Sequence, residues 1–295
     1  MSYDLYFYRK KGSGPTAAQV RDYLNSKLKA IAAEESQWFY ENEDTEVYFS
    51  FDQNQPETDP ESIDLFESFP DFDNTHFTFN LNFIRPDFFG VEAFAFVDKM
   101  VSDLDLFVLD TQSSTNPDNP TKPETGVLYQ GWSTLNARHS AHYFEEMELN
   151  YLDPEKATQA HQFNSHRSRL QERLGDDYFV PKVFFILPKG EKKVVTVSTW
   201  TQHIPCVLPP TDYYILLKKV KKLFKTFEES GLVRSELLFT RFKGSLDEFD
   251  FPGCRIIHPR KAAMAKDLFN STPLELHMQT FGERVDMMKM VTTKP

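Results

Sequence analysis

The chain has 295 residues, 40% of them apolar, 28 of them Phe, and a formal net charge of -11; that is room for about two domains, and too many aromatics for a disordered chain. Its apolar runs are far shorter than the ~18 residues that span a bilayer, and the opening MSYDLYFYRKK lacks the basic-then-apolar order of a leader peptide. Only Cys206 and Cys254 are present, which gives neither a disulfide framework nor a zinc spacing, so a soluble cytoplasmic protein without a membrane partner is expected.

Residues 2–9 alternate Tyr3, Leu5 and Phe7 with Asp4, Tyr6 and Tyr8, the pattern of a strand. After the turn Gly12-Ser13-Gly14-Pro15, Thr16 and Gln19 have the spacing of a capping box, and Val20, Leu24, Leu28 and Ile31 predict a helix ending near Glu34. Two short strands, 37–40 and 47–51, read as a hairpin. Residues 52–75 read as an acidic, Pro-containing loop with a helical turn at 62–67. Residues 76–84 then form a strand with Phe77, Phe79, Leu81 and Phe83 on one side. A helix over 91–104 and a strand over 105–110 complete a βα-ββ-β-αβ order. This predicts an α+β domain over 1–110, a ferredoxin-like sandwich with one added strand.

The polar, Pro-rich stretch 111–124 reads as a linker to a second, mixed α/β domain over 125–295. That domain is expected to open with helices over 127–149 and 154–174. Strands over 180–187, 193–200 and 213–217 follow. A basic amphipathic helix is predicted over 218–230, with Val220, Leu223, Phe224 and Phe227 inward. Residues 232–242 predict another helix, 255–257 a short strand and 259–269 a helix opened by Pro259.

The net charge hides an asymmetry. Residues 1–150 carry 10 basic and 27 acidic side chains, a net -17, whereas residues 151–295 carry 23 and 17, a net +6. The acidic half repels nucleic acid, and the other half is too weakly basic for a nucleic-acid footprint. No Lys or Arg occurs between Lys29 and Arg85. The acids there include Glu41, Glu43, Asp44 and Glu46 at the hairpin tip and Asp59, Glu61, Asp64, Glu67, Asp71 and Asp73 in the following loop. Phe66 and Phe69 lie among them. Acids with apolar anchors between them suit a surface that meets a basic partner.

Other motifs have plainer accounts. Gly12-Ser13-Gly14 completes neither a P-loop nor a dinucleotide fingerprint. His139, His142 and Glu146 share one face if the helix continues, and a metal would accept that set, but a solvated helix face with i,i+3 and i,i+4 contacts is the favoured account. His161 and His166, five apart, do not share a face. Cys206 after His203 invites a nucleophile–base reading, against which stands a strand end with a buried Cys and Trp. No cofactor is expected.

The strings SYDLYFYRKKGSGPT, WFYENEDTEVYFSFD, FNLNFIRPDFFGVEAFAFV, VSTWTQHIPCVLP and CRIIHP resemble immunity proteins encoded beside polymorphic toxins, including Rhs-type and type VI secretion effectors. The likeness extends over about residues 2–258. It implies a non-enzymatic cytoplasmic antitoxin that blocks a cognate toxin domain, for which a nuclease or an ADP-ribosyltransferase with a basic cleft are suitable activities. It carries over no site residues. Two other expectations stand beside it: a hydrolase, possibly metal-dependent, that reverses a toxin's modification, and a regulator binding a basic host protein.

Overall fold

Along Ser2–Lys10 (β1), Tyr3, Leu5 and Phe7 are buried while Asp4 and Tyr6 between them are not, the period-2 signature of a strand covered on one face. The computed structural model describes residues 1–28, 32–34, 36–112, 118–222 and 225–294. They divide into two units, Met1–His142 and Tyr143–Lys294. Each unit mixes helices with sheet, so the chain is α+β, as expected.

The first unit continues with helix α1 (Ala17–Lys27) and strands β2 (Ala32–Glu34), β3 (Gln37–Glu41) and β4 (Tyr48–Gln53). Helix α2 (Pro60–Phe66), strand β5 (Phe72–Asn82), helix α3 (Phe88–Leu104), strand β6 (Phe107–Leu109) and helix α4 (Val127–His142) follow. The capping box predicted at Thr16 and Gln19 is present. The helix it opens ends at Lys27, though, and Ala32–Glu34 is a strand paired with β3. Ile31, assigned to that helix from its spacing, lies outside the described residues. The sheet order is β2-β3-β4-β5-β1-β6, with every pairing antiparallel.

One face of this sheet holds the core. Phe49 and Phe51 of β4, Phe77 and Phe79 of β5, and Tyr3 and Phe7 of β1 are buried with Phe94, Val97 and Met100 of α3. Ring pairs Phe51–Phe79 (5.2 Å), Phe79–Phe94 (5.5 Å) and Tyr3–Phe94 (5.8 Å) tie sheet to helix. Each such pair adds about 0.5–1.5 kcal/mol beyond its buried area. The β1–β5 register shifts between Tyr6 and Tyr8. There His76 takes φ +60° and the Thr75 hydroxyl donates to Phe7 O at 2.7 Å. This bulge broke the alternation that the sequence shows, so β5 begins at Phe72 rather than at 76.

The boundary expected at 111–124 falls inside the first unit. Thr121 bridges Val108 of β6, the Gly126 amide donates to Asp98 at 2.8 Å, and α4 packs on α3. A Cβ on Gly90 of α3 would clash with Trp132 Cε3 of α4 and stand 3.0 Å from Tyr129 Cδ2. Gly90→Ala is therefore expected to destabilise the unit by about 1–3 kcal/mol through overpacking. Gly244→Ala, where a Cβ meets nothing within 4 Å, is the control in chemical denaturation. Equal midpoints for the two variants would mean that α3 and α4 are not closely packed.

The second unit contains β7 (Asn150–Tyr151), α5 (Pro154–Leu174), β8 (Phe184–Pro188), β9 (Val195–Thr201), β10 (Cys206–Leu208), β11 (Tyr213–Lys222) and β12 (Lys225–Arg234). They are followed by α6 (Ser235–Arg241), β13 (Asp247–Glu248), β14 (Arg255–Ile257), α7 (Pro259–Met264), α8 (Lys266–Ser271), α9 (Met278–Phe281), β15 (Gly282–Arg284) and β16 (Met290–Val291). Its sheets are β12-β11-β9-β8-β15, β10-β14-β13 and β16-β7. The basic helix predicted over 218–230 is instead the ribbon β11–β12, paired from Tyr213↔Arg234 to Lys222↔Lys225. Leu223 and Phe224 lie outside the described residues. Beside it β9 runs parallel to Tyr213–Leu217 and anchors the base of the ribbon; the cross-strand pairing from Lys218↔Glu229 to Lys222↔Lys225 outweighs the helical spacing of four apolar residues. Two further corrections are of length: α4 ends at His142, not 149, and the helix predicted over 259–269 is broken in two at Ala265.

Candidate interaction surface

The hairpin tip between β3 and β4 is a fastened turn. Asn42 Oδ1 accepts from the amides of Asp44 and Thr45 at 3.0 and 3.3 Å, and Glu46 takes φ +63°. Glu92 of α3 holds the tip from below, accepting from Tyr40 Oη (3.0 Å), Asn42 Nδ2 (2.6 Å) and Thr45 Oγ1 (2.8 Å). Burial and then the Glu92 charge push the Tyr40 phenol up. Glu41 and Glu43 are exposed there, and Asp44 and Glu46 half-exposed.

The other acids belong to residues 54–73, which run over the opposite face of the sheet. Phe66 of α2 lies on Tyr6 with ring centroids 4.5 Å apart, and Phe69 meets Tyr8 edge-on at 5.3 Å. Tyr8 Oη donates to Phe66 O at 2.9 Å. Tyr6 points away from the α3 side, because its neighbours Leu5 and Phe7 fill the core. Phe66 and Phe69 thus fasten α2 to its own sheet. The large apolar side chains left outside are Ile63, 38% exposed, and Leu65, 48% exposed. Sequence reasoning passed over both; the signal available was the run Tyr6-Phe7-Tyr8, which puts aromatics on both faces of one strand.

The acids of this segment divide by task. Asp59 caps α2, accepting from the Ser62 amide at 3.0 Å. Glu67 accepts from Asn74 Nδ2 at 2.9 Å and lies 3.5 Å from His76 Nδ1. Asp73 pairs with Arg9 at 3.3 Å, and Asp64 accepts from Ser68 at 3.4 Å. Glu57, Glu61 and Asp71 are exposed, and none of the three makes a side-chain hydrogen bond or ion pair among the described residues. The structure therefore brings 57–73 together and leaves 41–46 apart. The two groups flank the length of β4, about 17 Å at the usual rise per residue, and attach to opposite faces.

The chain matches no protein-family model, no curated protein and no solved structure.

The remaining candidates fall elsewhere. Since α4 stops at His142, Glu146 is not on one helix with His139, and among the described residues no group of three His, Cys, Asp or Glu is placed to hold a metal ion. His139 packs on Phe83 at 4.8 Å, and burial, with Arg138 and His142 adding to it, holds its pKa down. Cys206 is fully buried and its thiol is pushed up by that burial. His203 occupies a tight turn at φ +54° against Phe269. No bond joins the two among the described residues. No described helix is long and apolar enough to cross a membrane.

Proposed function

We propose that this protein is a cytoplasmic immunity protein that binds and occludes a cognate toxin domain with the acidic outer face around α2. The observation that carries this reading is the surface of residues 57–71. Glu57, Glu61, Asp64 and Asp71 stand exposed beside Ile63 and Leu65, within a stretch that holds no Lys or Arg from residue 30 to residue 84. Acids that make no ion pair among the described residues, such as Glu57, Glu61 and Asp71, raise the capture rate of a basic partner through complementary potential. Apolar side chains between them supply the desolvated contacts that tight complexes need, since exposed ion pairs contribute little. The fastened tip at 41–46 provides a second, separate acidic patch. The strand succession β4-β5-β1-β6, with crossovers through α1 and α3, supports a ferredoxin-like ancestry for the first unit, β2 and β3 being additions at the β4 edge.

The test is charge reversal at Glu57, Glu61, Asp64 and Asp71, which spares the capping Asp59 and the paired Glu67 and Asp73. The probe is the C-terminal domain of a toxin encoded by the adjoining gene, and the absence of a toxin gene there removes the immunity reading. The variant is expected to bind it at least about tenfold more weakly at low salt, with the deficit shrinking as salt rises, and to lose protection in co-expression. Unchanged affinity at low salt removes this face from the interface; a wild-type chain that neither binds nor protects removes the immunity reading.

A further inference from the structure

The second unit carries a groove of about 490 Å³. That volume is within the range of ligand sites. Its walls come from the residues after α4 (Glu145, Glu148), the start of β7 (Asn150), and the C-terminal segment with Glu283, Arg284, Asp286 and Lys289; Lys192 closes one side. Leu187 and Val285 give it an apolar strip.

Three observations restrict what fits. Asn150 is 92% removed from solvent, at 8% relative exposure, yet its side-chain amide makes no hydrogen bond to any described residue. Its polar atoms keep contact with solvent in the groove, since the side-chain atoms buried without a partner among the described residues are Trp132 Nε1 and Ser140 Oγ, so the groove offers a hydrated donor and acceptor that a ligand can take over. The charges around it are mixed. Lys192 reaches Glu145 at 2.5 Å, Lys289 is 3.8 Å from Glu148, and Glu283 has no side-chain partner among the described residues. A phosphate or nucleotide would face four carboxylates, and a metal ion would face three cations, so neither suits the lining. Finally, β15 (Gly282–Arg284) is the edge strand of its five-stranded sheet and forms part of the wall. Edge strands take up extended peptides by main-chain pairing.

We propose that this groove binds a short peptide carrying charges of both signs, with the Asn150 amide paired to a peptide group, Glu283 to the ligand's cation and Lys289 to its carboxylate. An Asn side chain offers the same donor–acceptor pair as a main-chain amide, so it is complementary to one.

Two-dimensional NMR of the full chain, titrated with a lysine-alanine-glutamate tripeptide, tests the assignment. Saturable shifts are expected at Asn150, Glu283 and Lys289, with trilysine and triglutamate each binding at least about tenfold more weakly. Glu283→Lys, a change at an exposed position, is expected to weaken the tripeptide about tenfold. Asn150→Ala is expected to abolish binding in a chain whose remaining spectrum is unchanged. If Asn150→Ala does not fold, Glu283→Lys still decides. No saturable shift with the tripeptide, equal binding of the three peptides, or an unaffected Glu283→Lys variant overturns the proposal.

Discussion

Asn136→Leu is expected to destabilise the first unit by at least about 3 kcal/mol, although it keeps nearly the same volume. The Asn136 side chain is buried on α4 between Trp132 and Ser140. Its Oδ1 accepts from the amides of Ile84 at 2.7 Å and Arg85 at 3.2 Å, and its Nδ2 donates to Arg85 O at 2.9 Å. Leucine would leave three backbone groups buried without partners, each costing about 1–3 kcal/mol. The same bonds hold Ile84 at φ +61°, a conformation a β-branched residue avoids and one that persists only where its surroundings over-determine it. Arg85 depends on this turn as well. Its guanidinium is buried, donating to Ile84 O at 2.8 Å and to Tyr48 Oη at 2.9 Å. The readouts are the denaturation midpoint and amide exchange at Ile84 and Arg85. A change under about 1 kcal/mol for the leucine variant would mean that water replaces the amide there.

The sequence shows the elements whose pattern is local. Tyr3, Leu5 and Phe7 mark β1, Phe77, Phe79 and Leu81 mark β5, and Thr16 with Gln19 marks the start of α1, because each needs only its own neighbours to be recognised. Features set by distant partners are not readable in this way. The spacing of Val220, Phe224 and Phe227 suits a helix, and only pairing with β12, from Lys218↔Glu229 to Lys222↔Lys225, makes 218–222 a strand. The close packing of α4 on α3 depends on the absent side chain of Gly90. The acidic surface was legible as composition, but its division was not. Nothing in the order of residues 41–73 says that Glu92 holds one end to the helical side while Phe66 and Phe69 fasten the other to Tyr6 and Tyr8. Aromatics within an acidic run look like anchors for a partner until the strand beneath them is known.

Trp200→Ala is expected to cost the second unit about 3–5 kcal/mol, the usual range for a deleted core aromatic. The ring is fully buried, with Phe242 and Phe269 edge-on at 4.9 Å each. Its Nε1 donates to Ile204 O at 2.9 Å. That bond closes the turn in which Gln202 and His203 both take positive φ, at 49° and 54°, so the variant loses packing and releases backbone strain together. Trp200→Phe keeps most of the packing and should lose roughly 1–2 kcal/mol, chiefly the hydrogen bond. The thiols provide an independent readout. Cys206 belongs to the same cluster as Trp200; burial raises its pKa, and that of Cys254 is pushed up to about 12. Neither thiol should react in the native chain, since the thiolate is the nucleophile. The loosened cluster of the alanine variant is expected to open locally more often, so one thiol per chain, Cys206, is expected to be modified faster in Trp200→Ala than in Trp200→Phe. Trp38 and Trp132 remain in the first unit as fluorescent reporters. Their unfolding midpoint should stay in place while the circular dichroism transition moves down. A common shift of both signals would show that the two units unfold together, and an unreactive Cys206 in the alanine variant would show that the cluster closes over the cavity.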